Sequence, residues 1–263
     1  MKKILIAFLG LLFVYSCSTV AVSNRTQIKL VPNSTMFATS FQQYDDFLKE
    51  HKLSTNQQQS QMVKRVGAKI QKAVEKYFAD KGKSSALSGY KWDFNLVEDP
   101  QINAWCMPGG KVVFYTGIFP ATKDETGLAV VMGHEIAHAI ADHGNERMSQ
   151  QLMLQGGGVA LDQLTKTKPE KTKKMWGTVF GLGAQYGAVL PFSRMHESEA
   201  DHLGLIFMAM AGYNPNEAVG FWTRMSKMGG QKPPEIMSTH PSDETRIKQI
   251  KEHMPEAMKY YNK

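Results

Sequence analysis

Apolar residues recur at helical spacing along most of the chain and alternate in one short central stretch. Between residues 55 and 80, Met62, Val63, Val66, Ile70, Val74, Tyr77 and Phe78 stand three or four apart, which places them on one stripe of a long helix. Residues 36–51 also read as helical. Trp92 to Glu98 alternates and predicts a strand. Ile102 to Cys106 and Lys111 to Thr116 flank the turn signal Pro108-Gly109-Gly110 and predict a hairpin. Residues 125–143 are mostly apolar and predict a buried helix. Residues 150–193 read as a helical hairpin or mobile flap, with Gly156-Gly157-Gly158 acting as a hinge or a plain linker. An amphipathic helix opens at His196, runs to Ala211 and stops at Gly212. Asn214-Pro215 starts another that ends at Gly229-Gly230, and Ser242 caps a last helix running to the neighbourhood of Met254. No internal repeat is present. The pattern is that of an α+β domain, mostly helical, with one small mixed sheet, spanning residues 36–263.

The N-terminus changes the picture. Lys2 and Lys3 precede a short apolar run, Ile4 to Tyr15, too short for the roughly 20 residues that cross a bilayer. It reads as a secretory signal peptide. Val14-Tyr15-Ser16-Cys17 resembles a lipobox, so residues 1–17 are expected to be a lipoprotein signal with Cys17 acylated. Ser18 carries no acidic retention signal, which leans towards an outer-membrane lipoprotein facing the periplasm. Residues 18–35 are polar and aperiodic and read as a tether. The other cysteine, Cys106, then has no intrachain partner, and an exported chain without disulfides relies on its core. The formal charge is +7, two units of it Lys2 and Lys3. The lysine-rich run 166–174 reads as a solvated loop, so no nucleic-acid partner is expected. The glycine triplet lacks a following Gly-Lys-Ser/Thr and is not a phosphate loop.

Candidate chemistry is concentrated at His134-Glu135-Ile136-Ala137-His138. Residues four apart on a helix lie about 40° apart around the axis and roughly 6 Å along it. His134 and His138 therefore share a face and can hold one metal ion. Glu135 lies about 100° away, beside the ion but badly placed to ligate it. Two imidazoles with an adjacent carboxylate suit a zinc hydrolase, with one zinc per chain. Catalytic zinc usually takes a third protein ligand. Ala141 and Gly144 occupy the positions where a longer single-helix motif needs glycine and histidine. His143, five residues past His138, reads as a helix-end residue. A carboxylate from the helix opening at His196 is the better third ligand. Glu197 and Asp201 are four apart, so Glu197 can ligate while Asp201 accepts the outer N–H of a ligand histidine. Glu199 points away. The rival reading of these acids is that they complement the dipole of a helix's first turn.

These residues resemble the M48 peptidase family. The resemblance rests on His134-Glu135-Ile136-Ala137-His138, on Glu197-Ser198-Glu199-Ala200-Asp201, and on Asn103 to Gly110 with the strand Lys111 to Gly117. Ser238-Thr239-His240-Pro241-Ser242, with Arg246-Ile247, is a fourth matching element. The N-terminus is most similar to the family's periplasmic lipoprotein branch.

The resemblance implies a mostly helical gluzincin-type fold whose small sheet lends an edge strand beside the active-site helix. It implies zinc on His134, His138 and Glu197, with Asp201 behind them, and Glu135 as the base that deprotonates water. His240 or Arg246 would face the developing negative charge on the attacked carbonyl. A peptide substrate would add as a strand along Asn103, Ala104, Gly109, Gly110, Lys111, Val112 and Val113, with Lys111 to Thr116 as the edge. Substrates would be unfolded or misfolded envelope proteins. The alternative is a chaperone-like lipoprotein that works with outer-membrane assembly machinery and cleaves little.

Overall fold

The long apolar stripe does form a helix, and the rest of the domain is assembled around it. A computed structural model describes residues 17–228 and 243–261. The order is β1 (Cys17–Thr19), β2 (Thr26–Ile28), α1 (Asn33–Glu50), α2 (Gln57–Asp80), β3 (Asp93–Val97), β4 (Ala104–Met107) and β5 (Lys111–Tyr115). There follow α3 (Glu125–Ile140), α4 (His143–Thr165), α5 (Glu170–Ala184), α6 (Leu190–Met210), α7 (Glu217–Met228) and α8 (Asp243–Tyr261). The result is α+β and mostly helical. Among the described residues, no helix is long and apolar enough to cross a membrane.

The core lies between α2, α3 and α6. Val66, Ile70 and Val74 of α2 meet Leu128, Met132 and Ile136 of α3 and Leu203, Ile206 and Phe207 of α6, all fully or nearly fully buried. Each such side chain contributes about 1.5–3 kcal/mol through its removal from water. A smaller cluster, Tyr44, Val97, Val113 and Tyr115, packs α1 against the other face of the sheet.

The three-stranded sheet has the order β3-β5-β4. β5 pairs in parallel with β3 and antiparallel with β4, in the register Asn95↔Val113 and Trp105↔Val113. The hairpin is therefore present, but Lys111 to Tyr115 is the central strand and not an edge. Its backbone groups are spent on two neighbours, and Val112 and Val113 are fully buried. The outer side of β3 is covered by residues 52–54, through Ser54 N–H to Leu96 C=O and Glu98 N–H to Lys52 C=O. Among the described residues the open edge is β4, which packs on α3.

Four other expectations change. Residues 18–35 are no tether here: β1 pairs with β2, Val20 is buried, and α1 already starts at Asn33. The glycine triplet lies inside the continuous helix α4, not at a break. α6 starts at Leu190, following α5 through a π-helical turn at Gln185–Val189, so Glu197 sits well inside it. The dipole reading of its acids therefore fails. The last helix runs through Pro255 to Tyr261, past Met254. Its proposed cap Ser242, and Gly229-Gly230 at the end of α7, lie outside the described residues.

Candidate metal centre

α3 begins where Asp124 accepts hydrogen bonds from the N–H groups of Thr126 and Gly127, each at 2.9 Å. It then runs against α6 at very close range, because each helix carries a glycine at the contact. A Cβ on Gly133 would lie 2.7 Å from the carbonyl oxygen of Gly204, and one on Gly204 would lie 2.8 Å from the backbone nitrogen of His134. Gly204 follows Glu197 and Asp201 at helical spacing, so all three face α3. The glycine contact thus sets the depth at which the α6 carboxylates meet the α3 imidazoles.

His134, His138 and Glu197 converge there, with one donor atom from each lying within 4.8 Å of the others. The two Nε2 atoms are 3.1 Å apart. Glu197 Oε1 is 3.3 Å from His138 Nε2, and Oε2 is 3.7 Å from His134 Nε2. Donors held tetrahedrally at zinc distances of 2.0–2.1 Å stand about 3.3 Å from one another. The outer ring nitrogens are already engaged. His134 Nδ1 donates to Asp201 Oδ1 at 2.9 Å, and His138 Nδ1 lies 2.8 Å from His143 Nδ1. With both protons on Nδ1, two Nε2 lone pairs and a carboxylate point at one spot. That donor set, two imidazole nitrogens and a carboxylate oxygen within ligand distance of one another, fits zinc, and the Arg246 guanidinium borders it, with Nη2 3.3 Å from His134 Nε2.

Charge is tuned accordingly. Burial pushes His138 down to about 3, despite the neighbouring carboxylate of Glu197, so its ring is neutral as ligation requires. For His134, burial and Arg246 favour the neutral ring, but Asp201 and Glu197 outweigh them and its pKa is raised. Glu135 is not among the converging donors. Burial, reinforced by Glu197 and opposed by His134, pushes its carboxyl up to about 7. Glu135 also helps to raise the Cys106 thiol, after burial, which places β4 beside it.

Arg246, from α8, is buried. It donates to Asp201 from Nε at 2.8 Å and from Nη2 at 2.7 Å, and its Nη1 lies 3.4 Å from Glu197. Its guanidinium carbon sits 3.3 Å from the ring centroid of Trp222 on α7. Two of its nitrogens are thus engaged with Asp201, and the guanidinium lies against His134 and Glu197. His240 lies outside the described residues. Of the proposed strand residues, Ala104 lies on the open edge, Gly109 and Gly110 form the left-handed turn, and Asn103 gives its C=O to Tyr115 N–H. Lys111, Val112 and Val113 are interior to the sheet.

Three participants were not legible in the sequence. His143 and Glu199 bond to each other at 2.9 Å, so Glu199 does not point away from the site region. Arg25, from the supposed tether, reaches Glu146 and Glu199. Sequence spacing gives no hint of contacts between residues this far apart.

A buried His-His-Glu donor set on two facing helices, with a glutamate held beside it, defines a metallopeptidase site. Residues 64–254 match peptidase family M48, and the chain belongs to that family. It is 37% identical over 179 residues to the mitochondrial metalloendopeptidase OMA1 of Schizosaccharomyces pombe, covering 66% of this chain and 50% of that protein. With the OMA1 of Arabidopsis thaliana it shares 34% identity, over 73% of this chain and 38% of the relative. The beta-barrel assembly-enhancing protease of Yersinia pestis is 32% identical over 59% of this chain and 32% of its own length. The chain thus spans half or less of these relatives. They do not single out the lipoprotein branch within the family.

Proposed function

We propose that this protein is a zinc-dependent endopeptidase acting on unfolded or misfolded polypeptides of the cell envelope. The observation that carries the reading is the separation of roles between neighbours on α3: His134 and His138 converge with Glu197, while Glu135 stands outside that set with its pKa raised to about 7. A structural site has no use for such a carboxylate. Bound zinc would polarise both a water molecule and the scissile carbonyl. With their Nδ1 protons held by Asp201 and His143, His134 and His138 would each present Nε2 to the metal. Glu135 Oε takes the proton of the attacking water and delivers it to the leaving amine, work suited to a pKa near neutrality. On sequence grounds His240 is assigned to the developing oxyanion, while the hydrogen bonds of Arg246 to Asp201 support a positioning role for the guanidinium.

We assign the substrate to β4, whose edge, open among the described residues, can bond any peptide backbone regardless of side chains. This agrees with broad tolerance of sequence. The envelope assignment, with a lipid anchor at Cys17 and contact with outer-membrane assembly, draws on the lipobox-like N-terminus and on relatives named for beta-barrel assembly. Mass spectrometry of the N-terminal peptide tests the anchor: an unmodified Cys17 refutes it. The chaperone-like alternative is favoured by one feature. Exposed Leu152, Val159, Leu164, Trp176, Val179 and Leu182 lie on α4 and α5, an apolar surface able to hold unfolded chains.

Glu135→Gln separates the readings. It should retain zinc by metal analysis and lose casein hydrolysis by about 10²-fold or more. Full hydrolysis by this variant rejects the mechanism. A zinc-loaded wild type that cleaves nothing supports the chaperone.

A further inference from the structure

The N-terminal hairpin reaches into the hydrogen bonding behind the metal centre. Arg25, between β1 and β2, donates from Nε to Glu199 at 3.0 Å and from Nη2 to Glu146 at 2.7 Å. Ser23 also donates to Glu199. Glu199 accepts from His143 Nε2 at 2.9 Å, and His143 Nδ1 faces His138 Nδ1 at 2.8 Å. His143 is fully buried and Glu146 and Glu199 are nearly so.

We propose that Arg25 is a positioning residue for the metal ligand His138, acting through Glu199 and His143. The proposal rests on the metallopeptidase reading, since it takes His138 Nε2 as a ligand. For Nε2 to bind metal, the ring proton must sit on Nδ1, where His143 Nδ1 is the acceptor. His143 must then carry its own proton on Nε2, and Glu199 is the acceptor that holds it there. Arg25 is the cation that allows Glu146 and Glu199 to lie close together as buried carboxylates. Without it Glu199 no longer fixes His143. A proton on His143 Nδ1 would oppose the one on His138 and move that proton to Nε2, the metal-binding atom. The β1–β2 hairpin thereby governs which tautomer a ligand adopts on α3.

The same hairpin has a second anchor. Lys29 pairs with Asp142 at 2.6 Å, outside this relay, which provides the control. Zinc affinity of the full chain is measured by competition with a chromophoric chelator, and the cobalt-substituted protein by its visible d–d spectrum. Arg25→Met should weaken zinc binding by about tenfold or more and shift the cobalt bands. Arg25→Lys should recover part of the loss, and Lys29→Met should leave both readouts unchanged. If Arg25→Met does not fold, Arg25→Gln is read in the same way. Wild-type affinity in the Arg25 variants overturns the proposal, as does an equal loss in Lys29→Met, which would reduce the hairpin to a fastening. A wild type that binds no zinc removes the metallopeptidase reading and this proposal together. A zinc-binding wild type indifferent to Arg25 removes this proposal alone.

Discussion

Asp201 shows how much a single side chain can carry. It accepts from His134 and from two nitrogens of Arg246, all three groups being buried. Asp201→Ala leaves a guanidinium stranded in the protein interior, which costs about 3 kcal/mol in urea unfolding of the metal-free protein. It should also weaken zinc binding by about 10–100-fold, measured by chelator competition. The double variant Asp201→Ala with Arg246→Met should regain most of the stability and none of the zinc affinity. At this scale the sequence was informative where spacing carries geometry. The four-residue intervals His134–His138 and Glu197–Asp201 each placed two groups on one helix face. Spacing was silent for His143, whose partner sits on another helix, and for Arg25, whose partners are Glu146 and Glu199. It was also silent on how Arg246 is held, because only packing reveals that Asp201 and Trp222 engage the guanidinium.

The meeting of α3 and α6 depends on atoms that are missing. Gly204→Ala would drive a methyl group into the backbone of His134, with no flexible side chain to yield. The helices must separate, at a cost of about 1–3 kcal/mol in thermal or urea unfolding, with zinc lost in proportion. The glycines of α4 behave in the opposite way. Gly156 and Gly158 sit mid-helix with open space where a methyl group would go, so Gly156→Ala should stabilise by about 0.5–1 kcal/mol. A loss of stability there would revive the hinge. Helices α2, α3 and α7 were readable from periodicity and caps because their burial is one-sided or their ends are marked. The start of α6 was not, since the apolar residues before His196 continue from α5 without a stop signal. The central place of β5 was also hidden: parallel pairing with β3 is a long-range choice that alternation does not encode.

Taken as one body, the protein holds its N-terminal hairpin through charge as well as through buried Val20, and acid should loosen it. Hydrogen bonds from His196 and Arg25 outweigh burial and hold Glu146 at about 2, against 4.5 for a free carboxyl. A lowered folded pKa means the contribution is complete above about pH 4.5 and lost as pH falls towards 2. Proteolysis by an acid protease should therefore reach residues 20–30 within that window while the core of α2, α3 and α6 still resists. Cleavage that starts in α3 instead would contradict this. The sheet has a different consequence. A border strand that welcomes a guest backbone will equally welcome its own twin, and such pairing is how many sheet proteins clump. β4 is only four residues long and gives way at once to the turn with left-handed Gly109 and Gly110, so two molecules meeting there could exchange few bonds. Its brevity limits such self-pairing along this edge while leaving room for a passing chain.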